Sequence, residues 1–266
     1  MAARDAGRRP GHEAIGAAIR AASARGEPAL VAFLTAGFPE RERFRADLAR
    51  VAAAADVVEI GVPFTDPMAD GMTIQRASHA ALAQGVTLGW ILDELAALAP
   101  RPAAPLLVMS YLNPLLAYGL DRLPRAARAA GVAGVIVPDL PFEECAELKG
   151  ALNAEGVGLV QMVTPVTPAE RLAMLCAAAQ GFIYAVTMTG TTGKSVAVPD
   201  EVLAYLARVR AVAPIPVCAG FGIRSREQVA RLKGHVDGVV VGSALVEVLE
   251  RGADPVGFLN GLRAPA

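Results

Sequence analysis

Cysteine and histidine are scarce in this chain of 266 residues, with three of each. Cys145, Cys176 and Cys218 lie far apart and form no CxxC pair, so neither a zinc cluster nor a disulfide framework is expected. An odd number of thiols on apolar segments fits buried, reduced side chains in a cytoplasmic protein. His12, His79 and His235 are equally scattered, and no two have the spacing of metal ligands. An excess of one charge is also missing. The net charge is −1 with acids and bases interspersed, which provides no basic face for nucleic acid or an anionic membrane. The longest apolar runs, residues 29–38 and 236–248, are interrupted or too short to span a bilayer. Residues 1–10 include Arg4, Arg8 and Arg9 but no apolar stretch behind them, so no secretory signal is expected. No Gly/Ser/Pro linker divides the chain. The expectation is one domain over residues 1–266, with 1–11 as a flexible N-terminal extension.

With 54% hydrophobic and 19% charged residues, the sequence can bury a large core. Short β-branched segments recur at residues 29–36, 56–62, 104–111, 134–138, 158–163, 182–187, 216–220 and 238–241. Helical patterns separate them, at 41–54, 73–84 with 87–98, a helix carrying Leu115, Leu116 and Leu120 followed by 123–130, then 169–179, 200–212, 225–232 and 244–251. Asp200 and Ser225 stand where helix N-caps are expected. A further amphipathic helix at 12–25 precedes the first strand and is expected to plug one end of whatever the strands form. Regular β-then-α alternation implies parallel strands with right-handed crossovers. Eight units in one run predict an α/β fold, a (β/α)8 TIM barrel with an extra N-terminal helix. An open doubly wound sheet is the rival.

In such a barrel the site lies where strands end and loops begin. Residues 57–75, VVEIGVPFTDPMADGMTIQ, open with an apolar strand carrying one carboxylate, Glu59, and continue into a loop presenting Asp66 and Asp70. Strand alternation puts Glu59 on one face with Val57 and Gly61. If that face is the barrel interior, burial raises its pKa and makes it a usable general acid/base; a structurally paired glutamate is the alternative. Asp66, before Pro67, suits a turn, whereas Asp70, before Gly71, suits a turn or a site. Other strand ends offer Tyr111 and Asn113, Asp139, Tyr184 and Thr187. The last three strands end in glycine-rich turns, 190–193, 220–222 and 242–243. Main-chain amides can approach an anion closely there, although tight turns alone would also explain the glycines. The sixth strand, FIYAVT, lacks the lysine that a Schiff-base aldolase needs.

The run EIGVPFTDPMADG resembles the signature of the tryptophan synthase α subunit family. FLTAGFP, MSYLNP, VPDLP, TGTTG, GFGI and VGSA follow in family order across nearly the whole chain. The resemblance implies aldol-type cleavage of indole-3-glycerol phosphate to indole and glyceraldehyde 3-phosphate. It implies no cofactor in this chain, and a pyridoxal-phosphate (PLP) β subunit as partner in an α2β2 assembly. Carried over residue by residue, Glu59 is the general acid/base and Asp70 holds the indole N–H. Tyr111 and Tyr184 line the site, with Phe33 and Phe221 beside the ring. Amides of Gly193, Gly222, Gly242 and Ser243 hold the phosphate, and Thr192 reaches toward Asp70 on closure. Met72 departs from the pattern, standing where the family has proline and leaving the loop backbone less constrained there. A stand-alone lyase, a mainly regulatory subunit and another phosphosugar enzyme of the same fold are the competing readings.

Overall fold

The alternating apolar segments pair into a closed parallel barrel, in the order β1-β2-β3-β4-β5-β6-β7-β8, in a computed structural model that describes residues 10–187, 198–220 and 222–263. Closure decides against the open sheet. The strands are β1 (Ala29–Thr35), β2 (Val57–Gly61), β3 (Leu106–Met109), β4 (Val132–Ile136), β5 (Gly158–Val163), β6 (Ile183–Val186), β7 (Val217–Gly220) and β8 (Gly238–Val241). Val31, Val57, Leu107, Ile136, Val160, Tyr184, Cys218 and Val240 form one inner cluster. Leu30, Val58, Val108, Val135, Leu159 and Val239 belong to the outer core under the helices. Both faces of each strand are therefore buried, which is why the strands read as near-continuous apolar runs.

Helix α1 (Gly11–Ala24) closes the end of the barrel where the strands begin. Its Ile15, Ile19 and Ala22 are fully buried in the inner cluster. A Cβ on Gly134 would stand 3.0 Å from the Ile15 Cδ1 atom, so the glycine admits the helix side chain. Burying Ile15 and Ile19 contributes about 1.5–3 kcal/mol each. The helix is a plug, as expected. Residues 1–9, most of the expected extension, lie outside the described residues.

The outer helices are α2 (Phe44–Ala54), α3 (Met72–Ala83), α4 (Leu88–Ala96), α5 (Leu112–Tyr118), α6 (Leu123–Ala129), α7 (Ala146–Ala154), α8 (Ala169–Ala178), α9 (Asp200–Val212), α10 (Arg226–Leu232), α11 (Ser243–Glu250) and α12 (Pro255–Leu262). Several expected boundaries move. The fourth strand occupies Val132–Ile136, not 134–138, because Gly134 marks a close approach to Leu107 and Ile15 within the strand rather than its start. The third strand ends at Met109, and Tyr111 is already the N-cap of α5. Pro199, not Asp200, caps α9; Asp200 is the first helical residue and makes no capping bond. Ser225 does cap α10, in a reciprocal box with Gln228. Helices α7 and α12 are additions to the sequence reading. The start of α12 has a clear local signal, since Asp254 accepts bonds from the amides of Val256 and Gly257 ahead of Pro255 at the first position.

Candidate active site

Strand β2 turns Glu59 into the barrel. In register with Phe33 on one side and Leu107 on the other, Glu59 shares its face with Val57 below and Gly61 above. It is 1% exposed, and its Oε2 has no hydrogen-bond partner among the described residues. A carboxylate so placed resists ionisation. Burial, reinforced by the negative charge of Asp70, pushes the Glu59 pKa up to about 8.

Asp70 reaches the same region from the loop after β2. That loop is folded on itself by Met68 N–H donating to the Asp66 carbonyl (2.9 Å) and Asp70 N–H to the Pro67 carbonyl (3.0 Å). Asp66 thus serves the turn. The Gln75 amide donates to the Asp70 carbonyl at 2.8 Å, tying the loop to the first turn of α3. Tyr111, the N-cap of α5, fixes the other side. Its hydroxyl donates to Asp70 Oδ2 at 3.2 Å and accepts from Ala69 N–H at 2.9 Å. Burial lifts the Asp70 pKa to about 6, against the opposing pull of the Tyr111 hydrogen bond. Met72 is the first residue of α3, directly after its N-cap Gly71. Proline's advantage at that first position is its pre-set φ, so methionine there removes a constraint only at the helix start.

Around the two carboxylates the walls are apolar. Phe33 and Tyr184 are buried, and Tyr184 is close enough to Glu59 for the carboxylate's charge to add to burial in raising the phenol's pKa. Their rings fit because two neighbours are glycines. A Cβ on Gly61 would stand 2.4 Å from Phe33 Cζ, and one on Gly220 would stand 2.4 Å from Tyr184 Cε1. Met109, Met162 and Val186 pack on the inner cluster and are only half-buried. Sequence reading passed over all three, although alternation from Leu107, Val160 and Tyr184 would have placed them on the inner face. It also passed over Thr35 at the end of β1, whose buried Oγ1 has no partner among the described residues.

The expected phosphate corner is partly in view. Gly222 has φ +79°, a left-handed conformation that favours glycine. Gly242 is the N-cap of α11 and Ser243 its first residue, so the free amides of that helix end face outward from β8. Thr192, Gly193 and Phe221 lie outside the described residues. Asp139 serves a structural purpose, accepting from Leu112 N–H at 2.9 Å at the start of α5. Among the described residues no group of three His, Cys, Asp or Glu side chains could hold a metal ion, and all three cysteines are buried and unpaired. A cavity of about 360 Å³ lies at the opposite end of the barrel, between α1 and the starts of β3 and β4. The carboxylate there, Glu155, is already paired with Arg125 and Arg128, so the cavity does not compete with the strand-end site for acid/base chemistry.

Comparison with known proteins agrees with this geometry. The family model described as tryptophan synthase alpha chain matches residues 19–257. The chain belongs to the tryptophan synthase alpha chain family. A tryptophan synthase alpha chain of Nitratidesulfovibrio vulgaris is 48% identical over 91% of this chain and 95% of its own length. One from a Geobacter species is 46% identical over 89% of this chain and 90% of its own. Among solved structures, tryptophan synthase of M. tuberculosis in an aminoacrylate-bound form superposes with a TM-score of 0.84 at 34% identity, covering 94% of this chain and 97% of that one. The alpha subunit from Legionella pneumophila gives 0.83 at 31%, covering 94% and 96%. Membership makes the chain a lyase, and its activity is the α reaction of tryptophan biosynthesis. No described helix is long and apolar enough to cross a membrane.

Proposed function

We propose that the α reaction proceeds here as cleavage of indole-3-glycerol phosphate to indole and glyceraldehyde 3-phosphate, with Glu59 and Asp70 dividing the proton chemistry. The observation that carries this reading is geometric: Glu59 is buried with its Oε2 unpartnered among the described residues, whereas Asp70 accepts from the Tyr111 hydroxyl at 3.2 Å. Burial therefore raises the Glu59 pKa further, to about 8 against about 6 for Asp70. At neutral pH the first is mainly a carboxylic acid and the second mainly a carboxylate. Pairs of groups driven apart by their surroundings identify acid and base. Glu59 gives its proton to the ring carbon that bears the glycerol chain, and Asp70 accepts the indole N–H, stabilising the positive charge that develops on nitrogen. The Glu59 carboxylate then takes the proton from the hydroxyl on the carbon attached to the ring. As that C–O bond becomes a carbonyl, the carbon–carbon bond breaks and its electrons return to the ring. Glu59 ends protonated, as it began.

Phe33, Tyr184, Tyr111, Met109 and Met162 supply an apolar wall for the indole. Amides of Gly222, Gly242 and Ser243 hold the phosphate; the parts expected of Thr192 and Gly193 fall outside the described residues. The two carboxylates complete the proton cycle, so this chain needs no cofactor. PLP belongs to a β subunit with which the chain forms an α2β2 assembly in the cytoplasm. Met68 and Met72 are 85% and 78% exposed on the loop and helix start beside Asp70, an apolar surface suited to that partner. Indole release by the purified chain, alone and with a β subunit, tests the reading. Release that rises on adding the β subunit and disappears in Glu59→Gln is expected; release unchanged by Glu59→Gln overturns the assignment.

A further inference from the structure

Helices α3 and α11 pack against each other, and each begins at one half of the site. Gly71, the N-cap of α3, directly follows Asp70, while Gly242 and Ser243 start α11 at the anion corner. One turn into α11, Glu247 places a carboxylate between them. Its Oε1 accepts from the Thr73 hydroxyl at 3.3 Å, in the first turn of α3. Its Oε2 accepts from the Arg224 guanidinium, two residues beyond Gly222. Arg224 is itself anchored, its N–H donating to Gln228 Oε1 at 2.7 Å. Ile74 completes the junction, since a Cβ on Gly242 would stand 3.7 Å from its Cδ1 atom.

We infer that Glu247 is a positioning residue: one carboxylate ties the turn that carries Asp70 to the two described segments of the anion corner, so that seating the phosphate also fixes where Asp70 stands. Holding the two helices together does not require it. Arg76 and Glu250 bridge the same helices further from the strand ends, at 3.2 and 2.6 Å. Among the described residues, what Glu247 alone joins are Thr73, three residues from Asp70, and Arg224. Binding energy from a remote part of a substrate is useful when it orders the reacting groups, and this bridge is a physical route for it. The inference rests on the assignment of Asp70 to the indole nitrogen.

Steady-state indole release with Thr73→Val, Arg224→Gln, their combination, Thr73→Ser and Arg76→Gln tests it. Thr73→Val is expected to lower kcat about tenfold, the scale of a small misplacement, with KM within about twofold because the phosphate amides remain. Thr73→Ser restores kcat, and the combined variant is no slower than the worse single variant, since both cut one bridge. Arg76→Gln keeps wild-type kcat. Unchanged kcat in Thr73→Val, or losses that multiply in the combination, overturn the inference while wild-type release and its loss in Asp70→Asn leave the parent assignment standing. A wild-type chain that releases no indole overturns both.

Discussion

Replacing Glu59 with glutamine should change the pH dependence of stability as well as abolish the proton donor. The folded protein holds Glu59 at a pKa of about 8, against 4.5 for the unperturbed group. Below 4.5 the carboxyl is protonated in both states, and its full contribution to stability is present. As pH rises the unfolded chain ionises while the folded one does not, so stability is lost until the pH passes the folded value. One proton changes stability by about 1.4 kcal/mol per pH unit in this window. Between pH 5 and 8 the wild type should therefore lose between about 3 and 4 kcal/mol relative to Glu59→Gln. Burying an amide in place of a carboxylic acid adds an offset of about 1–3 kcal/mol, but that offset does not vary with pH. Asp70 titrates in both proteins and largely cancels. Urea unfolding of the two proteins at half-unit pH steps, with equal m-values as the check on a common transition, measures the slope directly. A stability difference constant to within about 1 kcal/mol over the window would mean that Glu59 ionises freely in the fold, and the argument for it as a neutral acid would fail.

The same pair sets the pH profile: kcat/KM should fall below about 6 as Asp70 is protonated and above about 8 as Glu59 ionises. Steady-state rates from pH 5 to 9 show whether both limbs exist. Glu59→Gln and Asp70→Asn should each reduce kcat by at least about 10²-fold, and near-normal turnover in either removes that residue from the chemistry. Tyr111→Phe removes the hydrogen bond that favours the Asp70 carboxylate, so the acidic limb should move up by as much as about one unit; an unmoved limb would mean that the bond does not tune Asp70. Two glycine variants separate binding from folding. Gly242→Ala has ordinary contact distances of 3.7 Å and beyond, so KM should rise with thermal stability unchanged. Gly220→Ala drives a methyl into the Tyr184 ring and should lower stability by about 1–3 kcal/mol, measured by the same urea unfolding.

The barrel could be read from sequence because its strands obey one rule, apolar on both faces and separated by helices. Glu59 stood out because it breaks that rule; alternation put it on one face with Val57 and Gly61, and barrel closure shows that face to be the inner one. Strand ends were harder to place. The expected third strand ran on to residue 111, yet Ser110 and Tyr111 already belong to the turn into α5. Tyr111's value to the site comes from this departure, because from the helix start its hydroxyl reaches Asp70. No pattern along the chain could show that contact, which joins residues 41 positions apart. Thr35 and Glu247 were missed for the same reason. The first is notable only for what its buried hydroxyl lacks, and the second only for the two segments that meet on it.

The two carboxylates divide the work according to what holds them. A group that must give and then recover a proton has to remain neutral and dry, and a barrel strand provides both by closing packed side chains around Glu59. A group that must remain an anion needs a donor nearby, and a loop residue can reach one; Asp70 finds the Tyr111 hydroxyl at 3.2 Å. Two carboxylates on adjacent inward positions of the sheet would repel at short range and share one proton, leaving neither with a settled role. Here the charge of Asp70 instead helps keep Glu59 protonated. Removing that charge should therefore lower the Glu59 pKa, so the basic limb of any residual activity in Asp70→Asn should fall below its wild-type position. A basic limb that stays fixed would mean that burial alone sets the acid, and that the loop contributes nothing to it.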